Sequence, residues 1–514
     1  MQLFARRSSL ISFLFILAVV SGCASVPFDY PKQESQVTRI SDATKLGRNG
    51  LEWAEEHGSQ SGFIPLTGGN DALGVRLKMM EGAEESIDAQ YFLLKPDQAG
   101  MLFVGGLLEA ADRGVRVRFL LDDIFTPGVD SQLTILNSHP NIEVRLFNPM
   151  TRQSFKYWSL LVDFGRANRR MHNKVFVADD ALAVLGGRNI AEEYFEIEPD
   201  VEFADFDVLA VGPVVSDAAD TFDEFWNSAA AVPVEAFEVD IDPAQLDVWR
   251  EKMKDIVSGE QESVYFRALS SRLLADIIEE RAPLFIGEAH VVTDAPEKLL
   301  NKKGLEEYQV VVNELAQRMA AAKSEVYLIT PYFIPGKKGT EFLKSIMAKG
   351  VRLVIVTNSL SSNNHLAVHS GYARYRKPLV EAGAEIYEIR ADAVTGNEEL
   401  GLEPEIVTLH TKVAMIDRET FFVGSLNLDP RSIEINTEMG AFIESAEMSS
   451  EFSEIVDNEL AEDTYKVVLD EKGKLRWIYD YEGQHEEYTK EPNTSAWQRF
   501  KVGFYRILPI EGQL

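Results

Sequence analysis

Two stretches of the chain repeat one chemical pattern. His172-Asn173-Lys174 is followed by Asp179, Gly186-Gly187 and Asn189; His410-Thr411-Lys412 is followed by Asp417, Gly424-Ser425 and Asn427. In both, the Lys stands 2 residues after the His, the Asp 7 and the Asn 17. A chain with only 8 His has little room to repeat that by accident. The segments KVFVAD and KVAMID are strand-like. Alternation along a strand puts His172 and Lys174 on one face, and His410 and Lys412 likewise. Bringing the two faces together makes a phosphodiester-cleaving site. Lys174 and Lys412 neutralise a phosphate and the charge that builds on it. Asn189 and Asn427 donate to its oxygens, and the small residues after each motif let backbone come close. One His attacks phosphorus while the other protonates the leaving oxygen. This needs one neutral and one protonated imidazole, so a bell-shaped pH profile is expected. No cofactor is required, and metal-ligand spacing is absent from the sequence.

Each imidazole also needs an acid on its other nitrogen. Asp207, 35 residues after His172, and Glu438, 28 after His410, follow the motifs on the next strand-like segments and are assigned that role, with Asp205 the rival to Asp207. Which His each serves is left open. Asp179 and Asp417 are counted with the catalytic set as motif members. Their place at strand ends favours structural support of the turn.

The elements that must position these residues are themselves duplicated. Ser86 to Leu94, Val115 to Leu121 and Ile142 to Phe147 read as strands, with a helix from Met101 to Arg113 closed by Gly114. Ser324 to Ile334, Val351 to Thr357 and Glu385 to Ile389 replay the strands, with a helix from Thr340 to Lys349 closed by Gly350. Tyr332-Phe333 is matched to Tyr91-Phe92. Gly114 to Gly350 is an offset of 236 and His172 to His410 one of 238, so two copies of one unit are expected. The fold class is α/β: two similar repeats, each a mixed or mainly parallel sheet flanked by helices, with one active site at their interface. The expected divisions are repeat 1 at 62–230, an acidic linker or insertion at 231–300, repeat 2 at 301–470 and a basic-aromatic tail at 471–514.

The N-terminus reads as a processing signal. Arg6 and Arg7 precede a short apolar run, Leu10 to Val20, and then Val20-Ser21-Gly22-Cys23 resembles a bacterial lipobox. Cys23 is the only Cys of the chain, which suits lipidation. Residues 1–22 are the expected signal peptide and 23–61 a tether. Ala24 after the Cys resembles lipoproteins sent to the outer membrane, so a periplasmic face is expected if the cell is Gram-negative. The net charge of −31 argues against nucleic acid as a partner.

Two segments break the acidic pattern. Residues 152–170 hold five Lys/Arg and one acid among aromatics; residues 495–510 hold Arg499, Lys501 and Arg506 and no acid. Trp497, Phe500, Phe504 and Leu508 form one helical stripe there. Either segment could touch membrane or pack on the protein's own core. His369 and the cluster from Tyr372 to Lys377 could hold a second head group, or form an ordinary solvated helix.

The duplicated His-x-Lys-x4-Asp pattern resembles the phospholipase D superfamily over about residues 62–470. The runs EAADRGVRVRFLLDD, NIEVRLFNP, NRRMHNKVFVAD and GGRNIAEEYF are similar to the bacterial cardiolipin synthases. The resemblance implies one site at the repeat interface, a phosphohistidine intermediate on His172, and His410 as acid and base. It implies transphosphatidylation between phospholipids such as phosphatidylglycerol and phosphatidylethanolamine. A hydrolytic phospholipase D would use the same residues, differing only in access of water. A nuclease and an inactive envelope scaffold are the remaining alternatives, opposed by the acidic charge and by the two intact motifs.

Overall fold

The computed structural model describes residues 26–126, 128–152, 163–197, 201–257, 264–299, 305–393 and 406–514. The expected signal peptide and Cys23 lie outside them, as do residues 153–162 of the first basic-aromatic segment.

The first half supplies β1 (Ser61–Leu66), β2 (Ser86–Tyr91), β3 (Arg116–Asp122), β4 (Ile142–Phe147), β5 (Val175–Ala178), β6 (Leu182–Gly186), β7 (Val201–Ala204), β8 (Asp207–Val211) and β9 (Ala231–Pro233). Strands β2, β3 and β4 are parallel neighbours. From β2 the sheet continues antiparallel through β5, β6, β8 and β1, and β9 closes the edge at β4. The second half supplies β10 (Phe285–Thr293), β11 (Glu325–Ile329), β12 (Arg352–Asn358), β13 (Glu385–Ile389), β14 (Ile406–Leu409), β15 (Val413–Ile416), β16 (Thr420–Gly424) and β17 (Met439–Glu444). Here β11, β12 and β13 are parallel, and β15, β16, β17 and β10 follow antiparallel. Strands β18 (Thr464–Leu469), β19 (Leu475–Tyr481) and β20 (Gln484–Tyr488) extend the β13 edge.

The halves join where β1 pairs antiparallel with β10, Ser61 opposite Gly287. The result is one continuous sheet of 18 strands. Its central strands are buried on both faces: β5, β15 and β16 are buried throughout. Strands of that kind carry continuous apolar runs and need helices above and below. The helix Gln98–Asp112 begins where Asp97 accepts the Gly100 N–H at 2.9 Å. The stop glycines Gly114 and Gly350 hold φ of +102° and +90°, where a side chain would be strained.

The repeat register differs from expectation by two residues. Ile87 sits opposite Ala178, and Val326 opposite Ile416. Leu94 bridges Ile190 just as Phe333 bridges Leu428. Tyr332-Phe333 therefore corresponds to Leu93-Leu94, not to Tyr91-Phe92. A slip of two keeps every side chain on its face, so apolar alternation does not detect it.

Three expected boundaries move. The tether is a packed strap: Val37 is buried, its N–H donates to Asp223 at 2.8 Å, and Arg118 donates to the Ser35 carbonyl at 2.9 Å. The linker splits. Val264, Ala268 and Leu274 join the core of the first half, whereas β10 is a central strand beside the second. The tail is part of the sheet, with Trp477 donating to the buried Glu388 at 2.8 Å. His369 and its neighbours belong to that anchorage. His369 is buried and 3.4 Å from Glu491, and Arg376 reaches Glu388 and Glu491 at 2.6 Å each. They are not free to hold a head group.

Candidate active site

Each motif strand is short, four residues in both β5 and β15, and carries its His and Lys just before its first residue. Both motifs reach the seam between the halves. The His172 N–H donates to the Thr437 carbonyl at 3.0 Å, and the His410 N–H to the Ala204 carbonyl at 2.8 Å. These backbone bonds set the next residue, an acid, beside each ring. His172 Nδ1 lies 2.9 Å from Glu438 Oε2, and His410 Nδ1 lies 2.6 Å from Asp205 Oδ2. The pairing is crossed: each half supplies the carboxylate for the other half's histidine. With Nδ1 held, Nε2 is the nitrogen left for chemistry.

Asp207 was the expected partner and does not reach either ring. It lies on β8, where Arg76 donates to it at 2.8 Å and the Arg188 N–H at 3.1 Å. Asp205 and Asp207 share strand parity, so alternation does not separate them; the parallel pairing of β7 with β14 does. Asp179 and Asp417 are likewise not in the catalytic cluster. They sit at the far ends of β5 and β15. Asp179 accepts the N–H groups of Glu84, Glu85 and Ser86 at 2.9–3.0 Å. Asp417 accepts those of Lys323, Ser324 and Glu325 at 2.8–3.1 Å. Each pins the turn before a central strand, with φ of +52° and +56°.

Lys174 donates to the His172 carbonyl, and Lys412 to that of His410. Lys412 Nζ lies 2.9 Å from Nδ1 and 3.3 Å from Nε2 of His410. Asn189 accepts the Leu93 N–H at 3.2 Å and donates to the Tyr194 hydroxyl at 2.9 Å. Asn427 Oδ1 is buried without a partner among the described residues. The small residues serve the carboxylates: a Cβ at Gly187 would stand 2.3 Å from Asp205 Oδ1. Ser425, at the matching position, instead donates to Glu438.

Burial shapes the protonation states. It pushes the His172 imidazole below its usual value although Glu438 opposes the shift. Burial and the Lys412 ammonium push His410 down to about 3. Burial lowers Lys174 to about 7 and Lys412 to about 8. Burial would raise Asp205, but Lys412 and His410 hold it at about 2. At neutral pH the site therefore holds two neutral imidazoles and two ammonium groups that lose protons easily. A phosphate anion between them would favour the protonated forms.

Both histidines line one cavity of about 570 Å³. Its lining from the first half includes Phe92, Leu93, Ile124 and Phe125; that from the second includes Tyr332, Asn364, His365 and Asn427. The Phe92 and His172 ring centroids are 4.9 Å apart, and Phe203 stacks on His410 at 5.3 Å. Tyr332 donates to Asn364 at 2.8 Å. Sequence reasoning missed Tyr332, Asn364 and His365 as site residues; Asn364 and His365 have no paired pattern, and Tyr332 was paired only as a strand residue. Of the first basic-aromatic segment, Arg152, Arg166 and Arg170 are turned inward. Arg152 meets Asp130 at 2.7 Å, Arg166 meets Asn148 at 2.8 Å and Arg170 meets Asp122 at 3.1 Å. They brace the site rather than reach outward. No cluster fit for a metal ion occurs among the described residues.

Residues 77–226 and 315–460 match the family described as cardiolipin synthase, PLD-like domain. The chain is 36% identical to cardiolipin synthase C of Escherichia coli strain K12, over 90% of this chain and 98% of that protein. It is 30% identical to an uncharacterised protein of Helicobacter pylori strain 26695, over 97% and 99% of the two chains. The crystal structure of phosphatidylserine synthase of Haemophilus influenzae Rd KW20 shares the fold, with a TM-score of 0.56 and 11% identity, covering 91% of this chain and all of that one. The chain belongs to the cardiolipin synthase branch of the phospholipase D superfamily, and is an enzyme of the phosphatidyltransferase and phosphodiesterase class.

Asp205→Asn should lower turnover roughly 10²–10⁴-fold, as expected for loss of acid–base function, with a smaller loss of stability than Asp207→Asn because His410 is neutral and needs no counter-charge. Asp207→Asn should instead cost about 3–5 kcal/mol of stability, because the buried Arg76 loses its counter-charge. Urea unfolding beside turnover separates the two. Equal behaviour of both variants would refute the assignment.

Proposed function

We propose that this chain is a membrane-anchored phosphatidyltransferase of the cardiolipin synthase type, working through a phosphohistidine on His172. The observation that carries the proposal is the crossed pairing of His172 with Glu438 and His410 with Asp205 around one cavity. His172 Nε2 attacks the phosphorus of a donor phospholipid. A nitrogen–phosphorus bond forms as the bond to the head-group oxygen breaks, and His410 delivers its proton to that oxygen. His410, now neutral, takes the proton of an acceptor hydroxyl. The acceptor oxygen then displaces Nε2, which restores His172. Lys174 and Lys412 balance the charge on the non-bridging oxygens throughout. The entering phosphodiester anion supports protonation of His410, which burial and Lys412 otherwise hold neutral.

The lining supports transfer over hydrolysis. Phe92, Leu93, Ile124 and Phe125 offer apolar cover, and Tyr332, Asn364 and Asn427 offer hydrogen-bonding groups to the hydroxyls of an acceptor such as phosphatidylglycerol. Phosphatidylethanolamine is the second substrate to be tried. Lipidation at Cys23 would place the enzyme in the cell envelope, at the periplasmic face of the outer membrane in a Gram-negative cell.

The first experiment incubates the protein with phosphatidylglycerol and phosphatidylethanolamine vesicles and follows products by mass spectrometry. Cardiolipin from the intact chain, and none from His172→Ala, is expected. Phosphatidic acid alone would reassign the enzyme as a hydrolase. Labelled fatty acid should enter the wild-type chain in cells and not Cys23→Ser; equal labelling would remove the anchor.

The pH dependence follows from the groups above. His172 must be neutral to attack, and burial holds its pKa below the usual imidazole value, so its protonation should lower kcat/KM only on the acid side of that value. The Lys ammoniums must be charged, so kcat/KM should decline above about pH 7 as Lys174, and then Lys412 near 8, lose protons. A profile still rising at pH 9 would contradict this.

A further inference from the structure

We propose that the outer face of the helix Ala496–Tyr505 docks this chain onto an anionic phospholipid bilayer, with the active-site cavity beside the lipid. The inference rests on the reading as a lipid enzyme and names the surface by which it meets its substrate.

The helix is well formed in its own right. Ser495 accepts the Gln498 N–H at 3.1 Å, and the Gln498 side chain returns to the Ser495 N–H at 2.8 Å, a closed capping box. Only Val502 is buried from this helix. The sequence stripe was expected to serve either the core or a membrane, and the structure leaves its aromatic members outside. Trp497 is 62% exposed, Phe500 61%, Phe504 49% and the following Ile507 78%. The Trp497 and Phe500 rings stack on one another with centroids 5.3 Å apart. Scattered single apolar residues on a surface need no explanation, but four large ones on one short segment do.

Charge chooses the occupant. Arg499, Lys501 and Arg506 share this segment, and no acid lies between residues 495 and 510. The chain as a whole carries −31, so a second copy is repelled and most of the surface rejects an anionic membrane. A basic and aromatic face is what an interfacial helix offers to head groups and the acyl boundary.

Position ties the face to the chemistry. The helix packs on Leu366–Tyr372, whose Ala367 and Val368 line the cavity. Downstream, Arg374 donates to the Arg506 carbonyl and pairs with Glu511 at 3.0 Å. Gln513 and Leu514 then line the cavity, Gln513 accepting from Asn168 at 2.8 Å. The exposed face is thus fastened to the cavity wall on both sides. Phe125, 47% exposed, presents a further aromatic from the other half's lining.

The test uses the full chain bound to phosphatidylglycerol–phosphatidylcholine vesicles carrying brominated acyl chains. Tryptophan emission should be quenched in the wild type, with that component absent from Trp497→Phe. In parallel, Phe500→Asp combined with Phe504→Asp should lower turnover of vesicle substrate ~10-fold, while turnover of short-chain phosphatidylglycerol dispersed as monomers is unchanged. Both substitutions fall on exposed positions, so the melting temperature should hold. Absence of a Trp497-dependent quench, or equal loss on both substrates, overturns the proposal. So does a dimer that these substitutions dissolve in the absence of lipid. A wild type inactive on both substrates would reject the lipid-enzyme reading, while the quench still decides the docking surface.

Discussion

The two motif histidines, His172 and His410, each depend on a carboxylate from the opposite half, and much of the architecture follows from that dependence. His172 with Glu438 and His410 with Asp205 are buried ionisable pairs, and burying one member alone is costly. Neither half can satisfy its own imidazole. The two must be held at fixed separation, and the β1–β10 pairing makes the whole sheet one piece for that purpose. The parallel pairing of β14 with β7, and the single bridge of Met171 with Thr437, bring each acid to its ring. Supports behind them repeat the symmetry. The Met171 N–H donates to Asp122 at 2.9 Å and the Leu409 N–H to Asn358 at 2.8 Å, from corresponding strand ends.

The resulting site sets two ammonium groups against two carboxylates, Asp205 and Glu438, with both imidazoles neutral. Two lysines, two imidazoles and two acids share a buried space, and burial pulls the basic groups toward their neutral forms. A ligand that brings negative charge would oppose that pull and favour the protonated forms of the basic groups. Asn427 Oδ1, buried without a partner among the described residues, is an acceptor open to a donor such as a hydroxyl. The acids of the motif take no part in this. Asp179 and Asp417 spend their oxygens on backbone N–H groups at the far strand ends, and so hold in register the strands that carry the histidines.

The twofold pattern breaks at positions close to the two histidines. Leu93 stands where the second half has Tyr332, and Gly187 where it has Ser425. The first half lines the cavity with Leu93, Ile124 and Phe125 beside Arg170 and Glu193, and the second with Tyr332, Asn364 and Asn427 beside Ala367 and Val368. The strap at residues 26–60 and the tail at 471–514 have no counterpart in the repeat. The strap closes over the first half, and the tail carries the exposed aromatic helix to the cavity's edge.

The reactive groups were legible in the sequence because their spacing is local: a four-residue strand fixes His, Lys and Asp relative to one another, and the duplication announced a second copy. The strands were legible through apolar runs, and the helix stops through Gly114 and Gly350. What alternation cannot resolve is a shift of two, and both errors of register have that form, Asp207 for Asp205 and Tyr91-Phe92 for Leu93-Leu94. Only pairing between distant strands decides such cases, since the competing residues share a face. The tertiary structure likewise decided which carboxylate serves which ring, that the N-terminal segment is a packed strap, and that the aromatic stripe of the last helix faces out. Each depends on contacts between residues far apart in the chain, where periodicity along the sequence carries no information.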